Sequence, residues 1–250
     1  MELDDVMRMA RDAGFQAIEL MVTKREETQS AERVRVLCER YGLKVDSIHA
    51  PFLMAAKRVW GGYLGKIERS VEMAERLGAG VVVVHLPYFW QWDYARWALR
   101  HLTRCGERNG VMLAVENAML LKLRRTWNLS LFNSLHDLGR FQNLAFDTSH
   151  FAVAGVDIFH AWNELRSRVR HVHLSNNYLK GFDDHALPFE GRLPLARFIS
   201  LLSRDGFAGK VALELGPGPL EARLGEERIV RNLRRSLAFC REAAAAGPRH

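Results

Sequence analysis

"MAERLGAGVVVVH", residues 73–85, decides the fold. It opens as an amphipathic helix, stops at Gly78, runs through four valines and ends on His85. Glycine suits a helix C-terminus, where the backbone turns left-handed. The valine run is too short for a helix and is apolar on both faces, so it reads as a strand covered on both sides, as in a parallel sheet.

The same unit recurs. "RMARDAGFQAIEL" (8–20) carries Glu19, "LCERYGLKVDSIH" (37–49) ends at His49, "RCGERNGVMLAVE" (104–116) at Glu116, and "LLSRDGFAGKVALE" (201–214) at Glu214. Gly14, Gly42, Gly110 and Gly206 take the place of Gly78 as expected helix ends. Two further strands, "LAFDTSH" (144–150) and "RVRHVHLS" (168–175), lack the glycine and carry Asp147 and His173. Helix and strand alternate with no Pro/Gly/Ser-rich linker, which predicts one α/β domain over 1–250, either a barrel or a doubly wound sheet. Polar residues at the C-terminal ends of many strands favour the TIM-type (β/α) barrel. The first strand is followed by no G-x-G-x-x-G, which weighs against a dinucleotide-binding sheet.

The count gives seven parallel strands rather than eight. Only Met1-Glu2-Leu3 precede the first helix, expected at about 4–13, so the barrel is predicted to lack its N-terminal first strand. The chain's own first strand is then 17–22, with an open gap to the strand at 211–216. An open edge invites pairing, so another segment or a second copy in a homo-oligomer is expected to cover it.

With 250 residues and 48% apolar composition, the chain can fill the core of one large domain. Its N-terminus is acidic and then amphipathic, unlike a secretory signal, and no apolar run approaches a membrane span. Cys38, Cys105 and Cys240 are odd in number and lie in helix-like stretches, which suits reduced thiols in the cytoplasm. The net charge is +7. Its arginines are scattered along stretches such as "RWALRHLTRCGER" (96–108), as on solvated helix faces; an anion-binding surface is the other reading.

A single histidine at a strand end is ordinary. Here His49, His85, His150, His173 and His185 join several carboxylates at strand ends or in the loops just after them. In a parallel barrel these residues converge on one mouth. Clustered carboxylates repel and burial raises the cost, which a divalent cation removes. Mixed imidazole and carboxylate suits Zn, Mn, Fe or Co better than Ca. Strand alternation places Ala114 with Glu116, and Ala145 with Asp147, on the inner face, with Val115 outward. His150 is expected where its strand turns over into a loop. His171, one layer below His173, reads as a core residue or a partner that orients a ligand carboxylate.

These residues sit in phrases that together resemble the xylose-isomerase-like TIM-barrel superfamily. The phrases are "GFQAIEL" (14–20), "SIHAPF" (47–52), "LGAGVVVVHLP" (77–87), "LAVEN" (113–117), "FDTSHFAVAGVD" (146–157), "HVHLSNN" (171–177), "DDHALPFEGRL" (183–193) and "GFAGKVALEL" (206–215). That superfamily includes sugar and sugar-phosphate isomerases and epimerases and also abasic-site nucleases of the endonuclease IV type. The isomerase/epimerase resemblance implies one divalent ion, zinc or manganese, on Glu116, Asp147, His173 and Glu214. It implies Glu116 and Glu214 as the paired proton-transfer groups on a small sugar or sugar phosphate. His150, His49, His85, His185 and Asn117 would then touch substrate. The endonuclease resemblance implies up to three ions. His49, His85 and Glu116 would hold one, the same four core residues a second, and His150, Asp183 and His185 a third. Nucleic acid is a partner only under that alternative.

Two departures distinguish the chain from the nuclease pattern: Ser175-Asn176-Asn177-Tyr178 replaces an Asn-Asp-Ser-Lys-like run, and Phe52 stands where Tyr is expected. The loop "FLMAAKRVWGGYLG" (52–65) reads as an apolar lid, or as a wedge into DNA. "PYFWQWDYARWALR" (87–100) reads as helix packing and lid, or as a stacking surface. The expected function is a metal-dependent isomerase or epimerase. The alternatives are a metal-cluster phosphodiesterase and a barrel kept as a non-catalytic binding module.

Overall fold

Glycine does stop the early helices. Gly78 closes a helix over Tyr63–Leu77 with φ 71°, and its N–H donates back to the carbonyls of Ala74 and Glu75. A side chain there would meet the left-handed penalty that glycine escapes. The computed structural model describes residues 1–51, 56, 58–122 and 126–246. Residues 52–55 and 57, including Phe52 and the first part of the expected lid or wedge, lie outside the described residues.

The barrel strands are β1 (Ala17–Met21), β2 (Lys44–His49), β3 (Val81–His85), β4 (Val111–Glu116), β5 (Leu144–Asp147), β6 (Val169–Leu174) and β7 (Lys210–Leu213). Each pairs in parallel with the next, and among the described residues β1 and β7 do not pair with each other. The seven-strand TIM-type barrel with an open seam is therefore the observed fold. The seam is a cleft of about 540 Å³ whose apolar wall includes Val6 and Met9 from one helix and Ile229 and Leu233 from another. These helices are α1 (Leu3–Ala13) and the C-terminal helix Glu226–Ala245.

The valines of β3 explain the two-sided burial. Val81 and Val83 meet Ala114 and Ala145 inside the barrel, while Val82 and Val84 join the outer core with Val115 and Phe146. The expected inner face of β4 and β5 is thus correct. Small inner residues leave room above them for the polar ends of the strands.

Three local expectations are corrected. Strand β5 stops at Asp147, and residues 148–150 begin a short helix, Thr148–Val153. The cause is the Asp147 side chain, which accepts the His150 N–H at 2.7 Å and caps that helix. Gly110 does not end a helix. Asn109 and Gly110, with φ of 52° and 78°, form the turn that pairs Glu107–Arg108 antiparallel with Val111–Met112. β7 ends at Leu213, so Glu214 stands just beyond the strand rather than within it.

The three cysteines are unpaired. No helix among the described residues is long and apolar enough to cross a membrane.

Phe146 lies directly behind Asp147 and packs on Phe151, Trp162 and Phe198, with ring centroids 4.7, 5.8 and 5.5 Å away. Phe146→Ala should cost about 3–5 kcal/mol in urea-induced unfolding. A loss below about 1 kcal/mol would mean that this aromatic cluster does not anchor the inner strand.

Candidate metal centre

Parallel register does the first part of the assembly. Strand pairing sets His85 beside Glu116 and Asp147 beside His173. Glu116 and His173 are buried, and Glu116 Oε1 lies 2.6 Å from His173 Nδ1. Glu214 Oε2 lies 3.0 Å from the same nitrogen, and Asp147 Oδ2 lies 3.8 Å away. Three strand-end carboxylates therefore converge on one imidazole nitrogen. Glu116 Oε2, Asp147 Oδ2 and Glu214 Oε2 are buried and have no hydrogen-bond partner among the described residues. Buried oxygens left without hydrogen bonds are costly unless another positive centre meets them.

Two more groups flank this core. Glu116 Oε2 is 3.2 Å from His85 Nδ1 and 3.7 Å from His49 Nε2. On the other side, Asp183 Oδ2 is 3.1 Å from His150 Nε2 and 2.8 Å from His185 Nε2. Within each of the sets His49–His85–Glu116, Glu116–Asp147–His173–Glu214 and His150–Asp183–His185, one ligand atom per residue lies within 4.8 Å of the others. The structure brings all nine residues of the expected ligand sets into these three groups. Donor chemistry and spacing fit a divalent ion held by imidazole and carboxylate.

The imidazoles are held with a chosen nitrogen inward. His49 Nδ1 donates to the Ala50 carbonyl at 3.1 Å, and His150 Nδ1 to the Asn117 carbonyl at 2.8 Å. In each case Nε2 faces the carboxylates, the tautomer that a metal ligand requires. His185 Nδ1 rests 3.3 Å from the Ser175 hydroxyl, and the residue itself is in the left-handed region at φ 42°. Such a conformation in a histidine costs energy that the surrounding bonds must offset.

Those bonds come from residues that drew no role in the sequence reading. Asn176 Oδ1 accepts from the N–H groups of Asn177 and Leu193 at 2.8 Å each, and its amide donates to the Pro188 carbonyl at 3.0 Å. Asn177 Nδ2 donates to the Ser149 hydroxyl at 2.9 Å and to the Phe182 carbonyl at 2.8 Å. Ser149 in turn donates to Asp183 Oδ1 at 2.6 Å. The two asparagines thus shape the loop that delivers Asp183 and His185. Asn117, expected at substrate, has both ends of its amide on the backbone of Asp147, at 2.8 and 3.1 Å. Glu19 lies on the far side of His173, with Oε1 2.9 Å from Nε2. Of the aromatic stretch 87–100, Tyr94 is buried, whereas Phe89, Trp90 and Trp92 are exposed just after the strand that ends in His85.

Electrostatics follow the crowding. Burial pushes Asp147 up to about 7, aided by the negative charges of Glu214, Glu116 and Asp183 and opposed by His150. Burial also opposes the charged form of His173, but Glu19 and Glu116 outweigh it and raise that imidazole well above its ordinary value. For His185, burial is overcome by the Asp183 hydrogen bond and the nearby carboxylate charges, which raise it to about 9. Burial pushes His85 down to about 3, more than Glu116 restores. Without an ion, protonated histidines carry the positive charge that the carboxylates demand.

Comparison with known proteins identifies the family and the fold. Residues 7–242 match the family described as xylose isomerase-like TIM barrel. An uncharacterised protein of Mycobacterium leprae is 32% identical over 253 residues, covering 93% of this chain and 89% of its own. The inosose dehydratase of Mesomycoplasma hyopneumoniae is 27% identical over 157 residues, covering 54% of this chain and 51% of its own. The crystal structure of a D-tagatose 3-epimerase-like protein superimposes with a TM-score of 0.67 at 20% identity, covering 92% of this chain and 88% of the other.

Divalent metal should stabilise the protein. Co²⁺ or Zn²⁺ at about 100 times its dissociation constant should add about 2.7 kcal/mol, reversed by chelator. Binding should weaken as pH falls, because His173 and His185 must release protons that their neighbours hold on. Thermal unfolding with and without metal, and calorimetry in two buffers, check both points. An unfolding temperature indifferent to metal would make the cluster a purely hydrogen-bonded network.

Proposed function

Because this chain belongs to the xylose isomerase-like TIM-barrel family, we propose that it is a divalent-metal-dependent isomerase or epimerase acting on a small sugar or sugar phosphate. The observation that carries this reading is the pair Glu116 and Glu214. They come from β4 and from just beyond β7, with two strands between, yet both lie within 3.0 Å of His173 Nδ1. Glu116, Asp147, His173 and Glu214 would hold the ion, zinc or manganese. When bound, the ion would polarise a substrate carbonyl and so acidify the adjacent C–H.

The chain's own residues do the rest. One of the two glutamates removes the proton from the substrate carbon and the other returns it, which inverts or relocates the centre. Burial opposes ionisation of Glu116, but His173, His49 and His150 hold it well below the ordinary carboxylate range. It therefore starts as a base. Glu214 is the more open of the two, with its side chain 25% exposed, and can exchange its proton with the mouth. His150, His49, His85 and His185 ring the same mouth and would bind substrate oxygens wherever they are not engaged with an ion. A dehydration would share the first proton abstraction and differ only in the departure of a neighbouring hydroxyl.

A second reading rests on one specific observation. His49–His85–Glu116 and His150–Asp183–His185 both have ligand spacing beside the core set. That arrangement supports a three-ion phosphodiesterase acting on abasic DNA.

Incubation with candidate ketoses in D₂O should place deuterium on the product carbon next to the carbonyl. Glu116→Gln and Glu214→Gln should each lower kcat by about 10²–10⁴-fold. Mass spectrometry of the product and of metal content per chain decides between the readings. One ion with deuterium uptake supports proton transfer. Three ions, salt-sensitive cutting of an abasic duplex and no exchange into any sugar would replace it with the phosphodiesterase.

A further inference from the structure

Glu19 is not a member of the core set Glu116, Asp147, His173 and Glu214, yet it faces the histidine on which the core carboxylates converge. Its side chain extends from β1 across the barrel interior to β6. Oε1 lies 2.9 Å from His173 Nε2, and Oε2 lies 2.9 Å from His171 Nε2. The Ser47 hydroxyl donates to Oε2 at 2.6 Å. Ser47 is the register partner of Glu19 on β2, so the carboxylate is fixed by its own neighbouring strand. Oε2 accepts the Ser47 hydrogen bond; His171 Nε2 and His173 Nε2 are buried, lie at ion-pair distance from the carboxylate and have no hydrogen bond among the described residues. Glu19 is thus fixed by Ser47 and faces, at ion-pair distance, the nitrogen of His173 opposite the one that Glu116 and Glu214 approach.

His173 is fully buried, so its ring cannot turn to water for a partner. One nitrogen faces Glu116 and Glu214; the other faces Glu19. A metal-bound imidazole is oriented by what its second N–H meets, and a carboxylate there also makes the ring a stronger donor. We infer that Glu19 is the positioning residue of the metal centre: it holds Nε2–H of His173 so that Nδ1 is presented to the ion, with Ser47 and His171 fixing the carboxylate. This rests on the metal-centre reading and assigns a role to a residue outside its three ligand sets; Glu19, His171 and His173 themselves also lie at ligand spacing, the alternative that the titration separates. His171, already suspected of orienting a ligand carboxylate, instead helps to hold the carboxylate that orients a ligand histidine.

Titration of the purified protein with Co²⁺, followed by visible absorption, tests the assignment. Glu19→Gln keeps the shape but loses the charge. It should weaken Co²⁺ binding by roughly 10–100-fold, leave the number of bound ions unchanged and shift the visible bands, because the ligand field at Nδ1 changes. Ser47→Ala is the milder variant should Glu19→Gln fail to fold; it should weaken binding by about 2–5-fold, a share of the outer-shell effect. Circular dichroism confirms that each variant is folded. Wild-type affinity and spectrum in folded Glu19→Gln, or in Ser47→Ala if that is the only folded variant, would overturn the role of Glu19 and leave the metal centre standing. Loss of one whole equivalent of Co²⁺, with the rest bound as before, would make Glu19 a ligand and overturn positioning. Failure of the wild-type protein to bind Co²⁺ would overturn both this role and the metal-centre reading.

Discussion

Negative charge brought together at the mouth of the barrel is the constraint on which the rest of the structure depends. Glu116, Asp147 and Glu214 approach one imidazole nitrogen, and Asp183 adds a fourth carboxylate close by. Self-repulsion in a buried place would scatter such groups unless positive charge is supplied. Imidazolium rings or a divalent ion can supply it, and the two compete for the same lone pairs. The inner alanines and valines, the asparagine-built loop and the carbonyl-bound histidines all serve to hold this charge in register.

Much of the arrangement is legible in the sequence because it is local. A helix, a glycine, a β-branched run and a polar terminus fit within about a dozen residues, so each strand end announces itself. Alternation then predicts that Ala114 lies beneath Glu116 and Ala145 beneath Asp147, as the inner packing bears out. What could not be read depends on partners far away in the chain. Asn176 and Asn177 register in the sequence only as departures from a nuclease-like run, yet their amides organise the loop up to Leu193. The helix that begins at Thr148 follows from one side-chain cap, which the β-like run before it obscures. Gly110 looks like every other helix-ending glycine until the antiparallel turn is seen. Glu19 stands in the middle of β1, and nothing nearby in sequence indicates that it meets β6.

The family and the fold leave several chemistries open, since sites rather than folds carry function. The paired glutamates bring the reading down to proton transfer at carbon, and the two flanking histidine groups keep phosphodiester chemistry in view. Both rest on the same shared residue, Glu116, which contacts imidazoles from three other strands: His49, His85 and His173.

The open seam acquires a different meaning beside this site. Among the described residues β1 and β7 share no hydrogen-bond ladder, but Glu19 belongs to β1, Glu214 follows β7, and both reach His173. The barrel is in effect clasped by charge where backbone pairing is missing. Closure of the seam and the geometry of the centre are linked: whatever draws Glu214 toward His173 also draws the two free edges toward a common post, and whatever parts the edges would loosen the hold on an ion bound there. The seam is then a built-in compliance of the centre, and the affinity of a metal held there would partly be a property of how the barrel closes.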